Sequence, residues 1–286
     1  MINVGILGTG NIGTDLLLKI LKTNYINPVI FSGRRLDSEG IKIAQSKGIP
    51  VSIEGINFFN NNYQNVKLVY DCTNAADAKI HAEIFNSLGI KVIDLTPSKI
   101  GAMCVPEINP EIIFSENNVN LITCGGQASL PILHLIAKET KGLKYIEVVS
   151  QAASKSAGMA TRINVDNYIK TTQKAITQFT GCSNNKVILN LNPAEPSVDM
   201  QVSMFLEFSD IDLESVSLNI NKKIDDIKNY IPFYNLVIPP TIKENGLLVL
   251  SVRIKSIADY LPSYAGNLDI INCAAIKLTQ ILAGEK

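Results

Sequence analysis

Apolar runs and stretches of helical period alternate through the first half of the chain. The runs Val4–Leu7, Val29–Ser32, Leu68–Cys72, Val92–Leu95 and Val119–Cys124 are separated by helical stretches near Asn11–Lys22, Ser38–Lys47, Ala75–Leu88 and Ser129–Glu139. Short, continuously apolar strands punctuated by helices predict βαβ units and a parallel sheet covered on both faces, a Rossmann-type layer. The rhythm changes after Lys141. Strands are predicted at Tyr145–Gln151, Val187–Asn190, Met200–Phe208 and Leu247–Lys255, and long helices at Val165–Phe179 and Leu213–Tyr230. That order predicts an α+β second domain with an open sheet. The final stretch, Leu268–Leu282, has apolar residues at helical spacing and is expected to pack back on the first domain.

Composition narrows the class of partner. The 286 residues suffice for one large or two ordinary domains. Lysine plus arginine balances aspartate plus glutamate at 26 each, with no block of either sign, which argues against nucleic acid or an anionic membrane and for a small molecule. No apolar run approaches membrane-spanning length and no signal sequence opens the chain, so a cytoplasmic protein is expected. Cys72, Cys104, Cys124, Cys182 and Cys273 are scattered, without CxxC or histidine spacing, so neither a disulfide framework nor a metal site is expected.

Three segments carry candidate chemistry. Gly8-Thr9-Gly10-Asn11-Ile12-Gly13 follows a strand and opens a helix. In this dinucleotide fingerprint the glycines permit the tight turn, the approach of a pyrophosphate to the backbone, and close helix–strand packing. Where the second strand ends, the acid that usually holds the ribose of NAD is replaced by Arg34 and Arg35, with Asp37 slightly later. Guanidiniums there suit the 2′-phosphate and hence NADP, the cofactor the residues favour; solvated in the loop or stacked, they also tolerate NAD. Cys124 ends an apolar run and precedes Gly125, Gly126 and a helix. A thiol so placed sits at a helix N-terminus, where the thiolate is favoured and glycine backbone N–H groups are open to a developing oxyanion. A nucleophile and a hydride carrier in one chain point to aldehyde oxidation through a thioester. Ser154–Arg162, rich in hydroxyls and following a strand, suits a phosphate or a nicotinamide amide as well as it suits an ordinary capped loop. His81 and His134, on helices, show no spacing that pairs either with Cys124.

The chain resembles the acylating acetaldehyde dehydrogenase family, whose members partner a hydroxy-oxovalerate aldolase. The resemblance rests on Gly8–Asp15, Asp94-Leu-Thr-Pro97, Cys104-Val-Pro106, Thr123–Ala128, Ser154–Gly158, Thr161-Arg162, Asn192–Pro196 and Tyr264–Asp269, an ordered set running the length of the chain. It implies a glyceraldehyde-phosphate-dehydrogenase-like pair of domains: residues 1–140, completed by a C-terminal helix at 266–286, binding the dinucleotide, and residues 141–265 serving substrate and oligomerisation. It implies oxidation of an aldehyde with coenzyme A as co-substrate and NAD or NADP as cofactor, with Cys124 carrying the acyl group. Thr9, Gly10, Asn11, Ile12, Ser156, Ala157, Gly158, Met159, Ala160, Thr161, Arg162, Ile163, Asn164 and Asn267 become cofactor contacts, and a homodimer or a complex with the aldolase is implied. One departure stands out. The family's Met-Arg-Asp is here Met200-Gln201-Val202, which predicts a less polar substrate wall and, in place of the acetaldehyde that the resemblance implies, a bulkier aldehyde of the aromatic kind. Two other readings remain: a phosphorylating or non-acylating semialdehyde dehydrogenase, or a non-catalytic cofactor-binding regulatory subunit.

Overall fold

The computed structural model describes residues 1–285, with the side chains of Met159 and Ala160 outside the description. The first half folds as β1 (Ile2–Leu7), α1 (Asn11–Ile20), β2 (Ile26–Ser32), α2 (Glu39–Ser46), β3 (Val51–Ser52), α3 (Asn57–Asn61), β4 (Leu68–Asp71), α4 (Ala75–Ser87), β5 (Lys91–Asp94), β6 (Ala102–Met103), α5 (Ile112–Ser115) and β7 (Asn118–Asn120). The strands pair in parallel in the order β3-β2-β1-β4-β5-β7-β6. Strand order reverses between β1 and β4, the crevice where such doubly wound sheets receive a ligand. The short elements β3, α3, β6 and α5 escape a reading by period, since two to five residues carry too little of it.

Met1–Ile122 forms one compact unit together with Ala258–Leu261 and the segment from Ile271 onward. Its core includes Leu7, Ile30, Val69, Phe85 and Val92, and Phe59 of α3 meets Phe85 edge to face at 5.1 Å. A charged knot lies under α1. Asp15, fully buried, has Lys19 Nζ 2.7 Å from its Oδ2, and Asp259 stands 3.6 Å from the same ammonium. Asn272 Nδ2 donates to Asp15 Oδ2 at 2.8 Å and to the Ile12 carbonyl at 3.1 Å, which fastens the C-terminal segment to the helix behind the glycine-rich turn.

Two carboxylates close neighbouring strands. Asp71 ends β4 and accepts from the N–H and hydroxyl of Thr73, and His81 Nδ1 lies 2.7 Å from its other oxygen. Asp94 ends β5 and accepts from Thr96 N at 2.7 Å, Asn120 Nδ2 at 2.9 Å and the Ser98 hydroxyl. Asn120 in turn accepts from Ile122 N at 2.9 Å, holding that β-branched residue at φ +67, a conformation that costs about 1–3 kcal/mol where nothing compensates it. Burial, and then the like charge of Asp71, push the Asp94 carboxyl up to about 6.

The second unit holds Thr123–Ile257 and Pro262–Ile270. Its elements are α6 (Cys124–Glu139), β8 (Thr140–Lys141), β9 (Tyr145–Ala153), α7 (Met159–Ile163), α8 (Val165–Thr180), β10 (Asn185–Asn192), β11 (Met200–Glu207), β12 (Asp210–Ile211), α9 (Leu213–Lys228), β13 (Tyr234–Ile242), β14 (Leu248–Ile254) and the start of α10 (Gly266–Leu282). Five strands run in the order β10-β9-β11-β14-β13, with β10 and β9 parallel and the other pairs antiparallel. Alternation along β9 and β11 buries Ile146, Val148, Ser150 and Val202, Met204, Leu206 toward the helices and turns Val149, Ser203 and Phe205 the other way. β13 is absent from the sequence expectation because it contains Pro239 and Pro240; it is an edge strand whose register slips on both sides of Ile238, where missing N–H donors cost least. All five cysteines are free thiols, and among the described residues no helix is long and apolar enough to cross a membrane.

Two stability measurements follow. Asp15→Ala removes the nearer carboxylate from the buried Lys19 ammonium and is expected to cost about 3 kcal/mol in urea unfolding; a loss below about 1 kcal/mol would show that the knot contributes little. Asp94 holds its proton more tightly in the folded chain than its ordinary 3.8, so the folded state binds more protons than the unfolded one between about pH 4 and pH 6. Stability from this group therefore falls as pH rises through that window. Asp94→Asn should flatten the fall, and an unchanged slope would contradict the assignment.

Candidate active site

The glycine-rich turn is built by contacts that each exclude a side chain. Gly8 sits at φ +110, where an added Cβ would come 2.7 Å from the Cys72 carbonyl oxygen, and a Cβ on Gly13 would lie 1.9 Å from the Gly8 oxygen. At Gly10, by contrast, a Cβ meets nothing within 4 Å. Gly10 is also the N-cap of α1, makes no side-chain cap, and is followed by no acid in the first turn. The leading N–H groups of α1 thus face open space with the positive end of the helix dipole behind them, a fit for a pyrophosphate. Thr9 is wedged against Gly33, where a Cβ would come 2.5 Å from its Oγ1, and Ser38 Oγ donates to it at 3.2 Å; Asn11 is exposed and Ile12 half-buried.

The two arginines after β2 are exposed and paired. Arg35 reaches Asp37 through Nε at 3.1 Å and Nη2 at 2.9 Å, and Arg34 Nη1 lies 3.6 Å from Asp77 of α4. Sequence spacing shows the nearness of Asp37 to Arg35, but not that the carboxylate takes both forks of the guanidinium.

β7 ends at Asn120, four residues short of the predicted strand end, so Cys124 is the first residue of α6 and not the last of a strand. Thr123 caps the helix, its Oγ1 accepting from Gly126 N at 2.9 Å and lying 2.7 Å from Thr172 Oγ1. The Gly126 N–H expected to serve an oxyanion is therefore already committed to the cap. The Gly125 N–H turns toward the Cys124 sulfur, and Tyr168 Oη stands 3.9 Å from that sulfur. Burial pushes the thiol up to about 11, against the pull of Tyr168 and the N–H groups of Gly125 and Cys124. The helix terminus expected to favour the thiolate is present, and desolvation of the partly buried sulfur opposes it.

The loop after β9 is an ordered shelf. Ser154–Ser156 make one 3-10 turn, and Ser156, buried, donates to the Ala153 carbonyl at 2.8 Å. Arg162 donates from Nε to the Ala157 carbonyl and from Nη2 to the Ser154 carbonyl and hydroxyl, so it braces the loop and does not offer a free cation to a phosphate. Asn267 Nδ2 reaches the Ser156 carbonyl at 3.4 Å while its Oδ1 is buried and has no hydrogen-bond partner among the described residues, a vacancy suited to an amide donor such as a carboxamide NH2. Ala157 is buried and Gly158 open; Thr161 and Asn164 are half-buried, with Asn164 Oδ1 accepting from Asn167; Ile163 is exposed. The predicted contacts of the Met159 and Ala160 side chains lie outside the described residues.

The expectation for Gln201 and Val202 needs correction. Adjacent strand residues face opposite ways: Val202 is fully buried among the helix-facing residues, and Gln201 lies on the other face, opposite Gln151 and Arg253. They do not form one less polar wall. His134 Nδ1 donates to the Phe179 carbonyl at 2.6 Å, which occupies that nitrogen away from Cys124. Sequence spacing does not reveal Tyr168, Ser150 and Thr172 near Cys124, nor the Asp71–His81 and Asp94–Asn120 pairs. Aspartates closing two apolar runs were a readable signal for the latter; nothing short of a fold shows that Tyr168 meets Cys124.

Residues 3–115 match the family described as semialdehyde dehydrogenase, NAD binding domain, and residues 124–262 the family described as prokaryotic acetaldehyde dehydrogenase, dimerisation. The chain is 47% identical to an acetaldehyde dehydrogenase of Spirochaeta aurantia, over 98% of this chain and 94% of that one. It is 44% identical to one of Burkholderia thailandensis, over 96% and 92%, and 43% identical to one of Pectobacterium atrosepticum, over 99% and 96%. The fold is shared with an aspartate semialdehyde dehydrogenase II of Vibrio cholerae, solved in complex with ASA, at TM-score 0.67 and 17% identity over 99% and 98% of the chains. A Rossmann-type unit joined to a glyceraldehyde-phosphate-dehydrogenase-like α/β unit is thus the architecture, and with relatives this similar along almost its whole length the chain belongs to the acetaldehyde dehydrogenase family.

Proposed function

We propose that the protein oxidises acetaldehyde to acetyl-coenzyme A through a thioester on Cys124. The observation that carries this reading is the placement of Cys124 at the first turn of α6, with Gly125 and Tyr168 against its sulfur. In this reading the Cys124 thiolate adds to the aldehyde carbon and forms a hemithioacetal, whose collapse leaves the acyl group on sulfur. Bound NAD supplies the acceptor for the hydride released in that collapse. The thiol of coenzyme A then attacks the thioester carbonyl, and the Cys124 sulfur leaves. The glycine-rich turn from Gly8 to Gly13 is assigned to the pyrophosphate, and Asn267 with the Ser156–Asn164 shelf to the nicotinamide amide. Pyrophosphate binding is accordingly assigned to the first unit, and the nicotinamide amide contacts and the acyl chemistry to the second. A phosphorylating enzyme would want a histidine base beside its cysteine, and the engaged Nδ1 of His134 speaks against that reading.

Between the two dinucleotides we favour NAD. Asp37 and Asp77 face the arginines, so a 2′-phosphate must compete with carboxylates already in place, whereas Asp37 can accept from a ribose hydroxyl. A bulkier aldehyde loses its rationale once Val202 is placed in the core, and the two-carbon substrate is preferred. A homodimer through the face of the second sheet opposite its helices fits the family description of residues 124–262, and the half-buried Phe205 supplies apolar surface there. An aldolase partner rests on resemblance alone, and a cytoplasmic location on the free thiols.

The reading is tested by following dinucleotide reduction with aldehydes from two-carbon to aromatic, with and without coenzyme A. The expected outcome is highest kcat/KM for acetaldehyde and turnover only with coenzyme A. Cys124→Ala should abolish turnover and leave NAD affinity unchanged; retained turnover sinks the nucleophile. Asp37→Ala frees the Arg35 fork and should shift preference toward NADP about tenfold, the scale of one charge-assisted hydrogen bond, whereas an unchanged ratio would make the pair a bystander.

A further inference from the structure

We propose that Tyr168, supported by Ser150, is the residue that readies Cys124, holding its sulfur and donating a hydrogen bond to the thiolate. The inference rests on the reading of Cys124 as nucleophile. Two hydroxyls converge on the residue that follows the cysteine: a Cβ at Gly125 would lie 2.1 Å from Tyr168 Oη and 2.4 Å from Ser150 Oγ. Glycine is therefore required at position 125 to admit them. The same phenol stands 3.9 Å from Cys124 Sγ. Tyr168 is buried on α8 one turn before Thr172, whose hydroxyl donates to the Tyr168 carbonyl at 2.8 Å and meets the helix cap at Thr123, so the α8 backbone that carries the phenol is tied to the start of α6.

The position of Ser150 adds a second line. Its register partner across β9 and β11 is Val202, also on the helix-facing side of the sheet. This chain has an apolar side chain there and a hydroxyl on the neighbouring strand, so polarity beside the cysteine comes from Ser150 and Tyr168.

Tyr168 acts as a donor and not as a base. Burial holds its phenol well above the usual value, so it stays protonated while the cysteine proton leaves to solvent. Other charges do not compete for the role. The buried face of α9 is Val216, Ile220, Ile224 and Ile227, that of α8 beyond Tyr168 carries Thr171, Thr172, Ala175 and Ile176, and the helix-facing sides of β9 and β11 carry no ionisable group. On α6 itself the ionisable groups are His134, Lys138 and Glu139, from the third turn onward, and Glu139 accepts from Asn219 of α9.

The test is the pH dependence of iodoacetamide alkylation at Cys124, read on the peptide that contains it, in the full-length native protein, Tyr168→Phe and Ser150→Ala. Tyr168→Phe should move the alkylation midpoint upward by about one pH unit, a roughly tenfold loss of rate at pH values below the midpoint, with an unchanged melting temperature marking an intact fold. Ser150→Ala should shift it the same way by less, and this variant decides alone if Tyr168→Phe does not fold. An unchanged midpoint in a folded Tyr168→Phe, or in Ser150→Ala where that variant decides, overturns the proposal. Because no aldehyde is used, that failure is distinct from failure of the nucleophile assignment, which would appear as turnover by Cys124→Ala.

Discussion

Desolvation of one sulfur is the constraint around which the second unit is arranged. A thiol at the first residue of α6 is drawn toward ionisation by the N–H groups of the helix start and toward protonation by its buried surroundings, and here burial prevails, at about 11. Burial of this kind makes the sulfur a poorer nucleophile, since the thiolate is the reactive form. The cost is that ionisation has to be assisted when substrate is present. Nearby features serve that need: the cap at Thr123 fixes the helix start, Gly125 stays small so that hydroxyls can approach, and Tyr168 is oriented by the turn it shares with Thr172.

The first unit sets its glycine-rich turn by backbone packing. Gly8 and Gly13 leave no room for a Cβ, while a Cβ on Gly10 would meet nothing of the protein within 4 Å. Contacts so close fix the start of α1, and the Asp15–Lys19–Asn272 knot holds the same helix from beneath. The open N–H groups at the head of α1 are thus held on a stiff mount, which lowers the ordering cost of binding an anion.

Much of this architecture can be read from residue order. Apolar runs alternating with helices announce the parallel sheet, and glycines at positions 8, 10 and 13 announce the turn, because both signals are local and periodic. Other features are not local. Cys124 reads as a strand end because Leu121 and Ile122 extend the apolar run, yet Asn120 terminates β7 by turning its side chain to Asp94 and to the Ile122 N–H. Arg34 and Arg35 read as a phosphate clamp because charge type is visible in a sequence and pairing is not. The face of Val202 depends on strand alternation that begins at Met200, and a shift of one residue reverses it. The contact of Tyr168 with Cys124 joins positions 44 residues apart and has no sequence signature.

The most direct test of the central claim is to trap the acyl group. Native protein mixed with acetaldehyde and NAD in the absence of coenzyme A, quenched in acid and digested, should yield the Cys124 peptide carrying one acetyl group, and adding coenzyme A before the quench should remove it. An unmodified Cys124 peptide under conditions where NAD is stoichiometrically reduced, or an acetyl group on another residue, would contradict the account.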